Sequence, residues 1–344
     1  MIPAITTSGM RTLQIADLPA LAEFLQRIYR FAQPGQPPDT QFLEWKYLRP
    51  STHETNRSYV LERDGRIVAH CGVCPVILRL PGGSRVKTVT MMDWAADPSI
   101  PGIGVRLFRA VMEMAPASFI VGGATATRQI IPRIGFRLVG ESLTYSAWIR
   151  PWREFRARTH ATGSALRPVL RLFHGITHPS RHHFDASAWN FTQVDTFDDT
   201  VLPVLNSTKQ GWTICERTIA DLNYLLQCPR IKTQGFLLKR QKQVIGYFIL
   251  GRAGWEARLL DLAVDSAEID DWNMAYAAAT EAARLDPEVC RIRAQSTFPL
   301  IGSALRRNGY WRQYSEPIML FDPAKALDGA FPAAFQLLDG DSGY

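Results

Sequence analysis

The chain has 344 residues, of which 46% are hydrophobic and 21% charged, and its formal net charge is +7. This composition is typical of a globular protein with a substantial core, and the length suits two domains of about 150 residues each. The sequence has no run of 18 or more apolar residues, which argues against a membrane-spanning helix.

The first half predicts an alternation of strands and helices. Turn signals at Asp64-Gly65 and at residues 81–84 separate long apolar strands, and apolar residues at helical spacing follow Gly104. The expected order is a strand at 11–15, helices ending near 30 and 47, strands at 59–63, 67–80 and 86–97, a helix at 105–114, a strand at 118–123, a helix at 127–134 and a closing hairpin to 149.

The second half predicts the same order of elements. The expected strands are 190–197, 235–239, 244–250, 258–265 and 290–295, the helices are 198–208, 217–226, 272–285 and 300–307, and a hairpin runs to 322. Residues 91–97 align with 259–265, which places Asp93 on Asp261, and residues 132–136 align with 306–310. A repeat of about 170 residues indicates two whole domains rather than a solenoid, whose units are about 20 to 50 residues long.

A glycine-containing turn joins the third long strand to the next helix. It reads Asp97-Pro-Ser-Ile-Pro-Gly-Ile-Gly104. Such a turn presents several backbone N–H groups at a helix N-terminus, where the helix dipole also favours negative charge. The backbone amides of an oxyanion site would come from Gly102, Ile103, Gly104, Val105 and Arg106.

The order of elements, this turn, and Arg133-Ile-Gly-Phe136 about thirty residues later resemble the GNAT (N-acetyltransferase) superfamily. The resemblance covers residues 10–150 and, more weakly, 190–322. It implies an α/β (α+β) protein of two tandem GNAT folds, each a mixed, mainly antiparallel sheet flanked by helices. It also implies acetyl-CoA or another acyl-CoA as co-substrate, with its pyrophosphate on the glycine turn and its pantetheine along Ala95 and Ala96.

The resemblance implies an N-acyltransferase, in the first instance an acetyltransferase, that acts on an amine-bearing acceptor. Proton transfer needs a base for the amine and an acid for the departing thiolate. Ile131 stands where family members often carry the acidic Tyr, so the catalytic candidates are Asp93, Tyr145 and Glu141. The turn also departs from the family pattern, because residues 99–101 lack its Arg or Gln and Pro101 removes one N–H donor.

The second half has no glycine turn. Asp265, Glu268, Asp270 and Asp271 stand at the corresponding helix start, where negative charge stabilises the helix but repels a pyrophosphate. The predicted domains are a GNAT domain at 1–150 with the acyl-CoA site, a basic linker at 151–186, a degenerate GNAT-like domain at 187–330 and a tail at 331–344.

The linker region concentrates the positive charge. Residues 150–183 contain seven arginines and one acid, Glu154. An interdomain helix with solvated arginines explains this, and so does contact with an anionic membrane surface. We expect no specific nucleic acid, although an aminoacyl-tRNA-dependent transferase similar to the Fem enzymes is an alternative function, as is a non-catalytic binding protein.

Cysteine usage and the N-terminus indicate a cytoplasmic protein, membrane-peripheral if the linker binds lipid. Five cysteines do not suggest a disulfide framework, and residues 1–7 lack the features of a secretory signal. Cys71 and Cys74 have metal-like spacing but lie in an apolar strand, which favours core packing. No metal site is expected.

Overall fold

The computed structural model describes residues 9–29, 39–48, 56–155, 184–209 and 211–340. In the first half the strands are β1 (Met10–Thr12), β2 (Ser58–Arg63), β3 (Arg66–Arg79), β4 (Arg85–Ala96), β5 (Ala117–Val121) and β6 (Arg137–Trp148). The helices are α1 (Leu18–Tyr29), α2 (Thr40–Tyr47), α3 (Ile103–Met112) and α4 (Thr125–Ile130).

The second half repeats this order with one additional short strand pair. Its strands are β7 (Trp189–Val194), β8 (Thr213–Cys215), β9 (Lys232–Arg240), β10 (Gln243–Ala253), β11 (Glu256–Val264), β12 (Arg291–Ser296), β13 (Trp311–Phe321) and β14 (Ala333–Ala334). Its helices are α5 (Leu202–Leu205), α6 (Ile219–Leu225), α7 (Ile269–Leu285) and α8 (Pro299–Arg307).

Both halves contribute to one continuous sheet. Its order is β1-β2-β3-β4-β5-β13-β6-β12-β11-β10-β9-β7. The order is symmetric about the β13–β6 pair, so β13 of the second half pairs with β5, and β6 of the first half pairs with β12. The mixed sheet with flanking helices confirms the predicted fold class, and the two halves of the sheet confirm the predicted repeat.

The predicted closing hairpins are wrong. Each half ends in one long strand, and the strand that would complete a hairpin comes from the other half. Sequence periodicity specifies that a segment is extended and which face is apolar, but it does not specify which strand lies beside it. The exchange places the last strand of each half against the helices of the other.

Four apolar clusters form the core. One packs under α3 in the first half, and another lies under α7 and α8 in the second. A third lies between the halves, where Phe24 and Trp45 from the first half share a cluster with Phe197 and Leu222 from the second. The fourth includes Phe335, which stacks on Phe119 with ring centroids 4.8 Å apart.

The predicted linker lies mostly outside the described residues, since 156–183 are not among them. At its start, Arg150 donates hydrogen bonds to the carbonyl oxygens of Arg284, Asp286 and Val289 just beyond α7. In the described part of the chain, none of the helices combines the length and the apolar character that crossing a bilayer requires.

Candidate active site

Strands β4 and β5 separate at the centre of the first half. They pair in parallel only from Thr88 to Thr90, opposite Ala117 to Phe119. Beyond that point β4 continues to Ala96, and Ala95 and Ala96 pair with β3 on their other side. In the described residues no strand pairs with the β5-facing edge of this segment, so its backbone groups border an opening. Ala95 and Ala96 therefore lie where a ligand with amide groups could add to the sheet edge.

Helix α3 begins beside this opening. Gly102 caps it in the left-handed conformation at φ 77°, which glycine adopts without strain. Gly104 lies so close to β4 that an added Cβ would be 2.7 Å from the Cβ of Ala96. The Ile103 and Arg106 amides donate to the carbonyl oxygens of Ile100 and Gly102. Of the five predicted amides, those of Gly102, Gly104 and Val105 are therefore the ones directed to a ligand.

Asp93 lies on a β-bulge at the same end of β4. Cys71 of β3 faces two residues, Asp93 and Trp94, because the register shifts between the His70–Ala95 and Gly72–Met92 pairs. Asp93 has φ 46°, a conformation that residues other than glycine adopt rarely and often at functional sites. The bulge turns this carboxylate out of the regular alternation of the strand.

The Asp93 carboxylate is held by two residues of α2. Lys46 Nζ lies 2.5 Å from Asp93 Oδ2, and the Tyr47 hydroxyl donates to the same oxygen. Burial would raise the pKa of Asp93, but the charge and hydrogen bond of Lys46 and the hydrogen bond of Tyr47 outweigh it and hold the pKa below its usual value. The Asp93 side chain keeps 26% of its surface exposed, so the carboxylate is ionised and still accessible.

His70 supports the bulge from below. Its Nδ1 atom lies 2.9 Å from the Asp93 carbonyl oxygen, and its Nε2 atom lies 2.9 Å from Ser58 Oγ. A carbonyl oxygen can only accept, so Nδ1 carries the proton and Nε2 accepts from Ser58. Burial lowers the pKa of His70 to about 4, against the attraction of Asp93. The ring is therefore neutral at pH 7.

The structure does not bring Tyr145 and Glu141 together with Asp93. Tyr145 lies in the core of the second half, where its hydroxyl accepts a hydrogen bond from Arg306 at 3.3 Å. Glu141 is exposed on β6, 3.7 Å from Arg312. The strand exchange explains both positions, since β6 packs under α8 rather than under the first half's helices. These two catalytic candidates remain predictions without support from the geometry.

A carboxylate that the sequence did not point to lies at the end of β5. Counting on from the Thr90–Phe119 pair places Gly122 level with Asp93 across the opening. An added Cβ on Gly122 would be 2.9 Å from Glu316 Oε1, and Arg128 lies 3.8 Å from the same oxygen. Glu316 belongs to β13, so no local motif of the first half could have predicted it.

A pocket of about 700 Å³ lies on the face of β3 and β4 opposite α3. Trp45 and Lys46 of α2 line one side, and Tyr224 of the second half stacks on Trp45 with centroids 4.8 Å apart. Thr90 and Met92 of β4 form part of its floor. Charged residues of both signs complete the lining, namely Arg57, Glu216, Arg217, Asp221 and Asp339. The pocket thus adjoins the opening and depends on both halves.

In the second half, cations neutralise three of the four acids at the start of α7. Asp265 pairs with Lys209 at 2.6 Å, Asp270 with Arg307 at 2.8 Å and Asp271 with Arg240 at 3.5 Å. Glu268 is the residue that precedes the helix. The counterpart of the glycine turn is therefore an ion-paired structural element.

Asp261, the counterpart of Asp93, is deeply buried. Its carboxylate accepts from the Tyr247 hydroxyl at 3.0 Å and from Arg217 Nε at 3.1 Å, while the other side of the Arg217 guanidinium holds Asp339 at 2.6 Å. Burial raises the pKa of Asp261, and Arg217 only partly offsets that effect because it serves two carboxylates. The second half retains an acid at this position but encloses it.

Three solved structures resemble this one. A GCN5-related N-acetyltransferase from Anabaena variabilis matches with a TM-score of 0.60 at 12% identity, over 91% of this chain and 72% of that chain. A probable N-acyltransferase from Enterococcus faecalis matches at 0.58 and 11% identity, over 90% and 71%. An N-myristoyltransferase from Saccharomyces cerevisiae, with bound myristoyl-CoA and inhibitors, matches at 0.63 and 11% identity, over 94% and 82%.

No family model and no curated protein matches the sequence. The structural likeness spans nearly the whole chain, so the chain has the GNAT fold. At these identities the likeness establishes the architecture alone.

Proposed function

We propose that the protein is an acyl-CoA-dependent N-acyltransferase whose acyl-CoA site lies in the first half. The observation that carries the proposal is the asymmetry between the halves. In the first half, the opening between β4 and β5 leads to a glycine-capped helix with no acid in its first turn. In the second half, four acids occupy the corresponding position.

The residues at the opening fit an acyl-CoA. The Gly102, Gly104 and Val105 amides at the start of α3 would hold its pyrophosphate. The free edge of Ala95 and Ala96 would pair with its amide groups, in the way that a strand adds to a sheet edge. When bound, acyl-CoA supplies an activated acyl group for transfer to an amine. Acetyl-CoA and longer acyl-CoAs are both consistent with these contacts.

The acceptor amine would enter from the opposite face, through the pocket between the halves. Its aromatic wall of Trp45 and Tyr224 and its charges of both signs suit a polar amine with an apolar body. Thr90 and Met92 place the inner end of the pocket on β4, where the strand begins to separate from β5. The two substrates would then approach the opening from different sides.

A test of the cofactor site uses Gly102, whose added Cβ would meet no atom within 4 Å. We expect Gly102→Asp to weaken acyl-CoA binding at least about tenfold relative to Gly102→Asn, because the two side chains share a shape and only the aspartate repels a pyrophosphate. Calorimetry with acetyl-, octanoyl- and myristoyl-CoA measures the difference. If the unmodified protein binds none of the three at millimolar concentration, the proposed function fails and a non-catalytic binding protein is favoured.

We further propose that Asp93 accepts the proton of the acceptor amine, with Lys46 and Tyr47 positioning its carboxylate. Asp93→Asn keeps the shape of the side chain but cannot accept that proton, so we expect kcat to fall by about 100-fold or more while KM for acyl-CoA is retained. Circular dichroism establishes that the variant is folded. A variant that stays folded and keeps its kcat would remove Asp93 from the chemistry.

Glu316 offers the matched control across the opening. Glu316→Gln removes a carboxylate of similar exposure, 27% against 26% for Asp93. Under the proposed assignment its kcat falls much less than that of Asp93→Asn. If Glu316→Gln has the larger effect, the proton acceptor is Glu316 and the second half supplies it.

A further inference from the structure

One face of the second half carries more positive charge than its acids balance. Arg258 of β11 and Arg291 and Arg293 of β12 surround Glu256 on the side of the sheet opposite α7. Arg293 Nη2 lies 3.0 Å and Arg258 Nε 3.3 Å from Glu256 Oε1, and Arg291 contacts the other oxygen. Three guanidinium groups against one carboxylate leave an excess of two positive charges.

The cluster is nearly enclosed. The three arginine side chains are 13% to 18% exposed, and that of Glu256 is 9% exposed. Partial burial makes the excess charge costly unless an anion accompanies it. The pKa of Arg258 is lowered by burial and by the charge of Arg293, an effect that Glu256 opposes. The neighbouring segment 156–183 has five arginines and no acid, so its sequence supplies no counter-charge.

Two further donors lie on the same face with no hydrogen-bond partner. In the antiparallel β12–β6 pair, Arg291 stands opposite Trp148 and Arg293 opposite Ser146. Directly opposite residues point to the same side of a sheet. Trp148 and Ser146 are buried, and neither Trp148 Nε1 nor Ser146 Oγ has a partner. The Nε atoms of Arg291 and Arg293 also lack one.

Unpaired buried polar atoms are rare because each costs free energy. Here four of them come from adjacent positions of two paired strands. The indole and guanidinium groups can only donate, and the serine hydroxyl can donate. The missing partner therefore accepts several hydrogen bonds and carries negative charge.

We propose that this arginine cluster, formed by Arg258, Arg291, Arg293, Ser146 and Trp148, binds a phosphate dianion, either inorganic phosphate or the phosphate group of a monoester. The excess of two positive charges matches a dianion, and a phosphate offers an oxygen to each converging donor. The site lies in the half that lacks the glycine turn, so it is separate from the proposed acyl-CoA site. Its ligand is an effector or the anionic part of a second substrate.

The first test is calorimetry of the full chain with inorganic phosphate at constant ionic strength, with acetate as the monoanion control. We expect saturable phosphate binding at one site and at least about tenfold weaker acetate binding. Phenyl phosphate as a second titrant distinguishes a monoester site, which it would saturate, from a site for inorganic phosphate only. Absence of saturable binding of either phosphate overturns the proposal.

Variants locate the anion. Trp148→Phe keeps the ring and removes only the N–H, and Ser146→Ala removes only the hydroxyl, so both should fold and each should weaken phosphate binding several-fold. Arg293→Gln should weaken it about tenfold or more. The control is Arg307→Gln, which removes an exposed guanidinium paired with Asp270 in the same half. Equal phosphate binding by Arg293→Gln and Arg307→Gln would place the anion elsewhere, for example at the start of α3.

The two proposals fail independently. Phosphate binding is measured without acyl-CoA, and Gly102→Asp should leave it unchanged. A protein that binds acyl-CoA but not phosphate keeps the proposed function and loses the arginine-cluster site. A protein that binds phosphate but not acyl-CoA shows the reverse.

Discussion

At the scale of single residues, the first half builds its site on one strained position. Asp93 leaves the regular strand geometry at φ 46°, and Lys46, Tyr47 and His70 hold it there from α2 and β3. Strain at a polar residue persists only where the surroundings determine it, and such positions are frequent in active sites. The sequence marked Asp93 through its place before the glycine turn. Its three supporting residues carried no motif.

His70 should make stability depend on pH. The unfolded ring binds a proton below its ordinary pKa of about 6.5, whereas the folded ring does so only below about 4. Between these values the unfolded state binds more protons, so the free energy of unfolding falls as the pH falls, by about 3 kcal/mol in total. Asn at this position donates to the Asp93 carbonyl oxygen but does not titrate. Urea unfolding from pH 4.5 to 7.5 should therefore show a weaker pH dependence for His70→Asn, and identical slopes would contradict the assignment.

At the scale of elements, the final strand of each half is the part that the sequence placed wrongly. The repeat predicted that 137–149 and 311–322 would close their own halves. Instead β13 packs Met319 under α3, and β6 packs Tyr145 against α8. Both strands would present an apolar face to either set of helices, so their alternation could not distinguish the two pairings.

The predicted tail is also an element of the core as far as it is described. Leu327, Ala330 and Phe335 pack on the β5 and β13 face, and β14 pairs with β8, which pairs with β3. The following turn carries Asp339 to Arg217. Tail residues 333–339 therefore help to close the pocket between the halves.

Removal of one aromatic ring tests this role. Phe335→Ala should lower the free energy of unfolding by about 3 to 5 kcal/mol, because the side chain is fully buried against Phe119. Trp152→Ala removes a ring that is 59% exposed and should change it by about 0.5 kcal/mol or less. Chemical denaturation measures both. Similar values for the two variants would show that the tail contributes little to the core.

At the scale of the whole molecule, the two halves are interlocked. Residues 1–150 alone would leave β5 without β13 and β6 without β12, exposing two sheet edges and the faces that β13 and Tyr224 cover. We expect fragments 1–150 and 184–344 each to aggregate or remain unfolded when expressed alone, and to form one soluble complex when expressed together. Gel filtration and thermal unfolding give the answer. A cooperative transition of fragment 1–150 by itself would contradict this expectation.

Interlocking also gives the second half a reason to keep the GNAT fold without a glycine turn. It supplies β13, Glu316 and one wall of the pocket to the first half. Its own opening is enclosed instead, with Asp261 buried on Arg217 and acids paired at the start of α7. One half would then bind acyl-CoA while both form the acceptor site.

The sequence by itself determined the order of elements, the internal repeat, the GNAT fold and the contrast between a glycine turn in one half and acids in the other. These features are local, because hydrophobic periodicity and glycine positions act within a few residues. Only the tertiary structure decided which half each last strand completes, where Tyr145 and Glu141 lie, and which residues meet Asp93, Gly122 and the arginine cluster. Those contacts join residues up to about two hundred positions apart, and strand pairing at that separation depends on how the whole sheet assembles.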